Sequence, residues 1–162
     1  MPTPFHLSLT GTTQGPISQG CCTMKGREDT ILCQALNHEV SIPRDPQTGL
    51  PTGKRLHSAF TITKVFDKSS PKLFQALCTG EQMKDVTFKF YRISAAGQEE
   101  HYYTVKLENA IIVSLRPWVA NCLDPGKKEL TDMEDVSFTY RKIIWTWVPD
   151  GVEAQDDWTV PK

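Results

Sequence analysis

The run Gly49-Leu-Pro-Thr-Gly53-Lys54-Arg55 has the ingredients of a phosphate cradle, since glycine-rich loops expose backbone amides and lysine adds positive charge. Its spacing defeats that chemistry: the glycines stand one residue too close, and Arg55 occupies the position where serine or threonine must reach magnesium. Ser18, between Gly15 and Gly20, misses the nucleophile-elbow pattern because the preceding glycine comes one position early, so a turn is expected there. His6, His38, His57 and His101 form no i, i+4 pair and none has an acid placed beside it in sequence, so spacing assembles neither a metal site nor a triad. His38 shares the apolar parity of its strand and is expected as a hydrogen-bonded core histidine. Glu129, Asp132, Glu134 and Asp135 are expected to form a solvated acidic patch able to meet basic residues of a partner. Tyr102, Tyr103, Trp145 and Trp147 could stack a ligand, but packing is the expected role of such rings. No catalytic constellation emerges; the chain is expected not to be an enzyme and to need no cofactor or metal.

The five cysteines are odd in number and lack any C-x-x-C spacing, which argues against a disulfide framework or a zinc knuckle. Cys33 and Cys78 lie in apolar contexts and are expected in the core, whereas Cys21 and Cys22 are adjacent, a spacing at which a bridge is strained. Eighteen lysines and arginines face 19 carboxylates, so no field favours nucleic acid or an anionic membrane. The opening residues lack an apolar signal segment and no apolar run reaches bilayer length, so synthesis in the cytoplasm without a cleaved signal peptide and without membrane insertion is expected. At 162 residues the chain suits one domain, 1–162, with a single core.

The elements that would position these residues are strands. From Met133 to Trp147 apolar residues recur at every second position: Val136, Phe138, Tyr140 and Ile144 on one parity, Asp135, Ser137, Thr139 and Arg141 on the other. Successive side chains of an extended chain point to opposite faces, so this stretch has one dry and one wet or partner-facing side, and its tryptophan end should be covered on both. Phe5, Leu7 and Leu9 form a first strand, and Pro16 and Ile17 start a short edge strand. Leu32 to Ile42 reads as one strand with Leu32, Leu36, His38, Val40 and Ile42 on its apolar parity. Pro43 to Leu56 holds three prolines and two glycines and reads as an irregular, extended loop of the kind that carries function. Ser58 to Phe66 alternates again. Ser69-Ser70-Pro71 can cap and start a helix with a stripe of Leu73, Phe74 and Leu77, stopped by Gly80. Val86 to Leu107 reads as a long hairpin turning at Ser94 to Gln98, after which a bulge at Glu108 to Ala110 hands the apolar parity to Ile111, Val113 and Leu115. A second loop runs from Pro117 to Thr131, and residues 149–162 form a polar tail. The fold class is therefore all-β, a mostly antiparallel β-barrel or tight sandwich with one short flanking α-helix.

The opening M-P-T-P-F-H-L-S-L-T-G, the loop V-S-I-P-R-D-P-Q-T-G, the helix start D-K-S-S-P-K-L, the hairpin with E-E-H-Y-Y-T-V-K-L-E-N-A, the strand V-S-F-T-Y-R-K-I-I-W and the Asp156-Asp157-Trp158 tail together resemble the hemolysin-coregulated protein (Hcp) family. The resemblance runs end to end. It implies the inner-tube subunit of the bacterial type VI secretion machine: a β-barrel protomer, closed six at a time into rings that stack into a hollow tube exported with effectors. It further implies that the Pro43 to Leu56 loop reaches a neighbouring subunit or ring, with Arg44, Asp45, Gln47, Leu50, Lys54 and Arg55 as contact residues. Asn37 and Glu39 would face the lumen and its cargo. The implied partners are further copies of the chain, the sheath, spike and baseplate proteins, and effectors. Two alternatives stand beside this reading: a carrier ring that protects effectors in its lumen, and a small-ligand barrel or enzyme, which would need a cavity with His38 or His57 at its wall.

Overall fold

Period-two alternation of apolar side chains builds two packed antiparallel sheets, beside a two-stranded ribbon, in the computed structural model, which describes residues 2–160. In chain order the strands are β1 Phe5–Gly11, β2 Gly15–Pro16, β3 Ile31–Cys33, β4 Ala35–Asn37, β5 Val40–Ser41, β6 Leu56–His57 and β7 Phe60–Val65; then helix α1, Ser70–Thr79, and β8 Met83–Ile93, β9 Glu99–Glu108, β10 Ile111–Trp118, β11 Met133–Thr139, β12 Lys142–Trp147 and β13 Val152–Asp157. The larger sheet runs β13-β12-β9-β8-β1-β2, with β3 also paired to β1; the smaller runs β10-β11-β7-β4. Their inner faces meet in one core. Phe5, Leu7, Leu9, Val86, Phe88, Val105, Leu107 and Ile143 face Phe60, Ile62, Ile112, Val136 and Phe138, all buried. Phe88 is the hub, 4.6 Å from Phe60 and 6.1 Å edge-on to Phe138. Full burial of each large side chain contributes about 1.5–3 kcal/mol.

The all-β class, the β8–β9 hairpin and the helix stand as the sequence reads, and the short edge strand is present one residue earlier than expected, at Gly15–Pro16, with Ile17 buried beyond it. Gly80 ends α1 in the left-handed conformation at φ 67°, which a side chain would resist. The helix packs against β10 through Leu73 and Ala76, while Phe74 lies exposed, so the buried stripe is rotated from the expected one.

Three expected features differ. The stretch Met133 to Trp147 is two strands: β11 lies in the smaller sheet, β12 in the larger, and the chain crosses at Tyr140 and Arg141. The stretch Leu32 to Ile42 likewise crosses from β3 to β4 at Gln34, and its parity is inverted, for Ile31 and Cys33 are buried while Leu36, Val40 and Ile42 are exposed. At Glu108 to Ala110 there is a third crossing instead of a bulge within one strand, with Asn109 at φ 52°. There Ile112 is buried and Ile111 and Val113 are exposed. The buried parity slips at these corners, from Tyr140 to Ile143 instead of the expected Ile144 and from Leu107 to Ile112, and in sequence such a slip looks the same as a bulge. The polar tail also holds a strand, β13, paired along β12; its last two residues, and Met1, lie outside the described residues.

Candidate functional site

The outward face of the smaller sheet is built from small polar side chains in register. Asn37, Thr61, Ser137 and Ser114 form one cross-strand row, and Ala35, Thr63, Asp135 and Arg116 the next. Thr61 and Ser137 share a hydrogen bond of 2.9 Å, and Thr63 donates to Asp135 at 2.7 Å. Asn37 is thus part of a continuous polar surface. Glu39 lies beyond the end of β4, exposed, with its amide donating to Ser58 at 2.8 Å. The two edges of this sheet, β4 and β10, carry exposed apolar side chains, Leu36 on one and Ile111 and Val113 on the other. Edge strands flanked by exposed apolar side chains are candidate pairing surfaces.

The Pro43 to Leu56 segment is an extended loop without regular structure before β6, as expected, and is tied along its length into an arm. β5 pairs with β6 at its root, Arg44 bridges Pro51, the Thr52 amide donates to the Pro43 carbonyl at 2.8 Å, and the Asp45 amide donates to Leu50 at 2.9 Å. Pro43 and Pro51 fit because each sits where only a carbonyl or no donor is required. Gly49, at φ 72°, closes the tip, and the Asp45 carboxylate accepts from the Gln47 amide. No helix follows Gly53, so no phosphate cradle forms. Arg44, Gln47, Leu50 and Lys54 are exposed on the arm, as is Ile42 at its root, while Asp45 is half-buried. Arg55 is turned onto its own chain.

Arg55 enters a polar cluster that spacing did not reveal. Its Nε donates to Asp156 Oδ2 at 2.5 Å and its Nη2 to the carbonyls of Asp157 at 2.7 Å and Val160 at 3.2 Å. His57 Nε2 lies 2.7 Å from the same Asp156 oxygen, and its Nδ1 lies 2.8 Å from the Tyr140 hydroxyl. His38 Nε2 reaches that hydroxyl at 2.7 Å. Trp158 stacks on the His57 ring at 4.8 Å. Burial, reinforced by the Asp156 charge, pushes the Tyr140 hydroxyl well above its ordinary pKa, so it is a hydrogen-bonding group and not a nucleophile. His57 also stands at the wall of a cleft of about 290 Å³ with Lys54, Leu56 and Trp158. Both of its nitrogens are engaged and its face is covered, leaving no lone pair for a substrate.

A second cluster overturns part of the acidic patch. Glu129 and Asp132 are exposed, but Glu134 is fully buried and ion-paired to Lys64, also fully buried. Lys64 further donates to the Val65 carbonyl at 3.0 Å and pairs with Asp67 at 3.1 Å, and Ser70 donates to Glu134 at 2.7 Å. The serines therefore serve this cluster instead of capping α1: Ser69 makes no side-chain cap and bonds Asp67. The signal was present, since Lys64 shares the parity of Phe60 and Ile62, and Glu134 that of Val136 and Phe138.

Ser18 is buried, its hydroxyl accepting from the Leu9 amide at 3.1 Å, which makes it a structural residue. Cys33 is buried, but Cys78 is exposed on α1, contrary to expectation; Cys21 and Cys22 are half-buried. Among the described residues no cluster of histidine, cysteine and carboxylate fits a metal, and no helix is long and apolar enough to cross a membrane. His38 is half-buried instead of lying in the core.

Three histidines titrate below their ordinary value. Burial lowers His6, and Arg27 adds to this: the Arg27 Nη1 lies 3.3 Å from His6 Nε2, while Nδ1 faces Thr30, whose own proton goes to the Arg27 carbonyl, so Nε2 must stay unprotonated. Burial lowers His38, with His57 adding, and burial lowers His101, with Lys89 adding. A group with a lowered folded pKa contributes stability above its unfolded value and loses it as pH falls toward the folded one. The urea midpoint is therefore expected to fall as pH drops below about 6.5, the unfolded histidine range; a midpoint constant down to about pH 5 would contradict these placements.

The sequence profile of the family described as "Type VI secretion system effector, Hcp" matches residues 6–147. A Pseudomonas aeruginosa protein named "Major exported protein" is 51% identical over 169 aligned positions, covering 99% of this chain and 98% of that one. A structure titled "Crystal structure of Hcp protein" superposes with a TM-score of 0.90 at 35% identity, covering 98% of this chain and 99% of that one. "Secreted protein Hcp3 from Pseudomonas aeruginosa" superposes with a TM-score of 0.81 at 42% identity, covering 98% and 100% respectively.

Proposed function

The chain belongs to the Hcp family of type VI secretion proteins, and from that premise we propose that it is a structural, non-enzymatic subunit that closes into hexameric rings stacked as an exported tube. The observation that carries this reading is the pair of edge strands on opposite sides of one sheet, β4 with exposed Leu36 and β10 with exposed Ile111 and Val113. Different surfaces on two sides make a head-to-tail contact, and such contacts generate rings when the rotation closes. Joining β4 of one copy to β10 of the next would hide both edges and carry the polar outward face around an axis as the wall of a lumen.

The arm serves as the contact to neighbouring subunits or rings, through Arg44, Asp45, Gln47, Leu50 and Lys54, with Arg55 holding its root. The chain is made in the cytoplasm and leaves through the secretion machine, alongside its sheath, spike and baseplate proteins. Negative-stain micrographs of the purified protein are expected to show rings with an open hole; a field of solid, ring-free particles would oppose the reading.

A carrier role in the same ring is favoured by the small polar row of Asn37, Thr61, Ser137 and Ser114, which leaves space for cargo. Asn37→Trp is expected to lower the abundance of a lumen-borne effector severalfold while rings persist, because a bulky ring replaces a small amide at the wall. Unchanged abundance would remove Asn37, and the same test applied to Glu39 would judge the arm root.

A further inference from the structure

We propose that Arg55, His57, Tyr140 and Asp156, together with His38, form an acid-sensitive latch that fixes the stance of the arm on the barrel, tolerating one added proton and opening at the second. This rests on the reading of the arm as an intersubunit contact. His38 precedes β5 and His57 belongs to β6, so both roots of the arm are tied to one hydroxyl, that of Tyr140 at the corner between β11 and β12. Arg55 and His57 are tied in turn to Asp156 of β13.

The hydrogen bonds have a definite sense. Asp156 accepts, so His57 carries a proton on Nε2 and presents a lone pair at Nδ1, to which the Tyr140 hydroxyl donates. The Tyr140 oxygen is then free to accept from His38 Nε2. One added proton is absorbed without loss: with His57 cationic, Tyr140 accepts from it and donates to His38 instead. With two added protons both rings donate to one oxygen, the buried hydroxyl proton loses its acceptor, and two cations face each other beside Arg55. The remaining charges around the cluster offer partial relief only: Asp156 is already shared with Arg55, Asp157 pairs with Arg141 at 3.4 Å, and Lys54 at the cleft rim adds positive charge. Burial, with His57 adding, lowers the His38 pKa, so this site resists taking a charge on His38.

The test is hydrogen exchange on the full chain, corrected for intrinsic rates, at about pH 7.5 and about pH 5.5, comparing residues 43–56 with β8 as an internal record of folding. In the wild type, protection of the arm is expected to fall about tenfold at the lower pH while β8 is unchanged, the size of one lost buried hydrogen bond. His38→Gln, which can donate to or accept from Tyr140 without taking a charge, should keep the arm protected at both values. Tyr140→Phe should leave it open at both. A wild-type arm equally protected at both pH values, a His38→Gln arm released like the wild type, or a Tyr140→Phe arm protected like the wild type would each overturn the latch. Particle size in the same samples separates the two ideas: rings with a pH-independent arm reject the latch alone, and absence of rings at either pH rejects the tube reading while arm exchange still decides the latch.

Discussion

Glu134→Ala is expected to lower the unfolding free energy by roughly 3–5 kcal/mol, because it leaves the fully buried Lys64 ammonium without its counter-charge. The remaining neighbours cannot replace it. The Val65 carbonyl contributes a dipole, and Asp67 is partly exposed and already accepts from Ser69. Lys64→Met combined with Glu134→Leu is expected to be near neutral or more stable than wild type by about 1–4 kcal/mol, since desolvating the pair offsets its Coulomb gain and one Glu134 oxygen has no hydrogen-bond partner among the described residues. Urea denaturation at fixed protein concentration measures both, the concentration being held because self-association adds to apparent stability. A single variant within about 1 kcal/mol of wild type would mean that Lys64 escapes to water or sheds its proton.

The combination of Ile42→Asp and Val113→Asp is expected to abolish ring formation while leaving the fold intact. Ile42 is 55% and Val113 46% exposed, so in the isolated chain their replacement should change stability by no more than about 0.5 kcal/mol. In the ring each new carboxylate would be desolvated against a neighbour at what is an apolar contact, which costs several kcal/mol per contact. Because the same contact recurs around the axis, sedimentation should find monomers at micromolar concentration with unchanged circular dichroism. Rings of wild-type stability would move the interface away from β10 and the arm root.

The hairpin and the helix were legible because their signals are local: alternation either side of Ser94 to Gln98, and proline before and glycine after an apolar stripe. The corners were not, since the change of buried parity from Tyr140 to Ile143, or from Leu107 to Ile112, is also what a bulge within one strand would leave. The exposed Leu36, Val40 and Ile42 misled the parity of their strand for a related reason. Sequence records that a side chain is apolar, not whether its own core or another copy will cover it. The two polar clusters differ in legibility. Lys64 and Glu134 stand out as charges on apolar parities. The latch draws on His38, Arg55, His57, Tyr140 and Asp156, residues up to about a hundred positions apart whose meeting only the topology determines. Arg55 illustrates the cost of reading a loop by composition: it belongs to the arm in sequence and to the barrel in space.

Self-association through the edges of one sheet is the physical core of the proposed function, and native mass spectrometry of the purified protein tests it most directly. The expected species is six times the 18.3 kDa chain mass, persisting on dilution into the micromolar range. A single 18.3 kDa species throughout that range would contradict it.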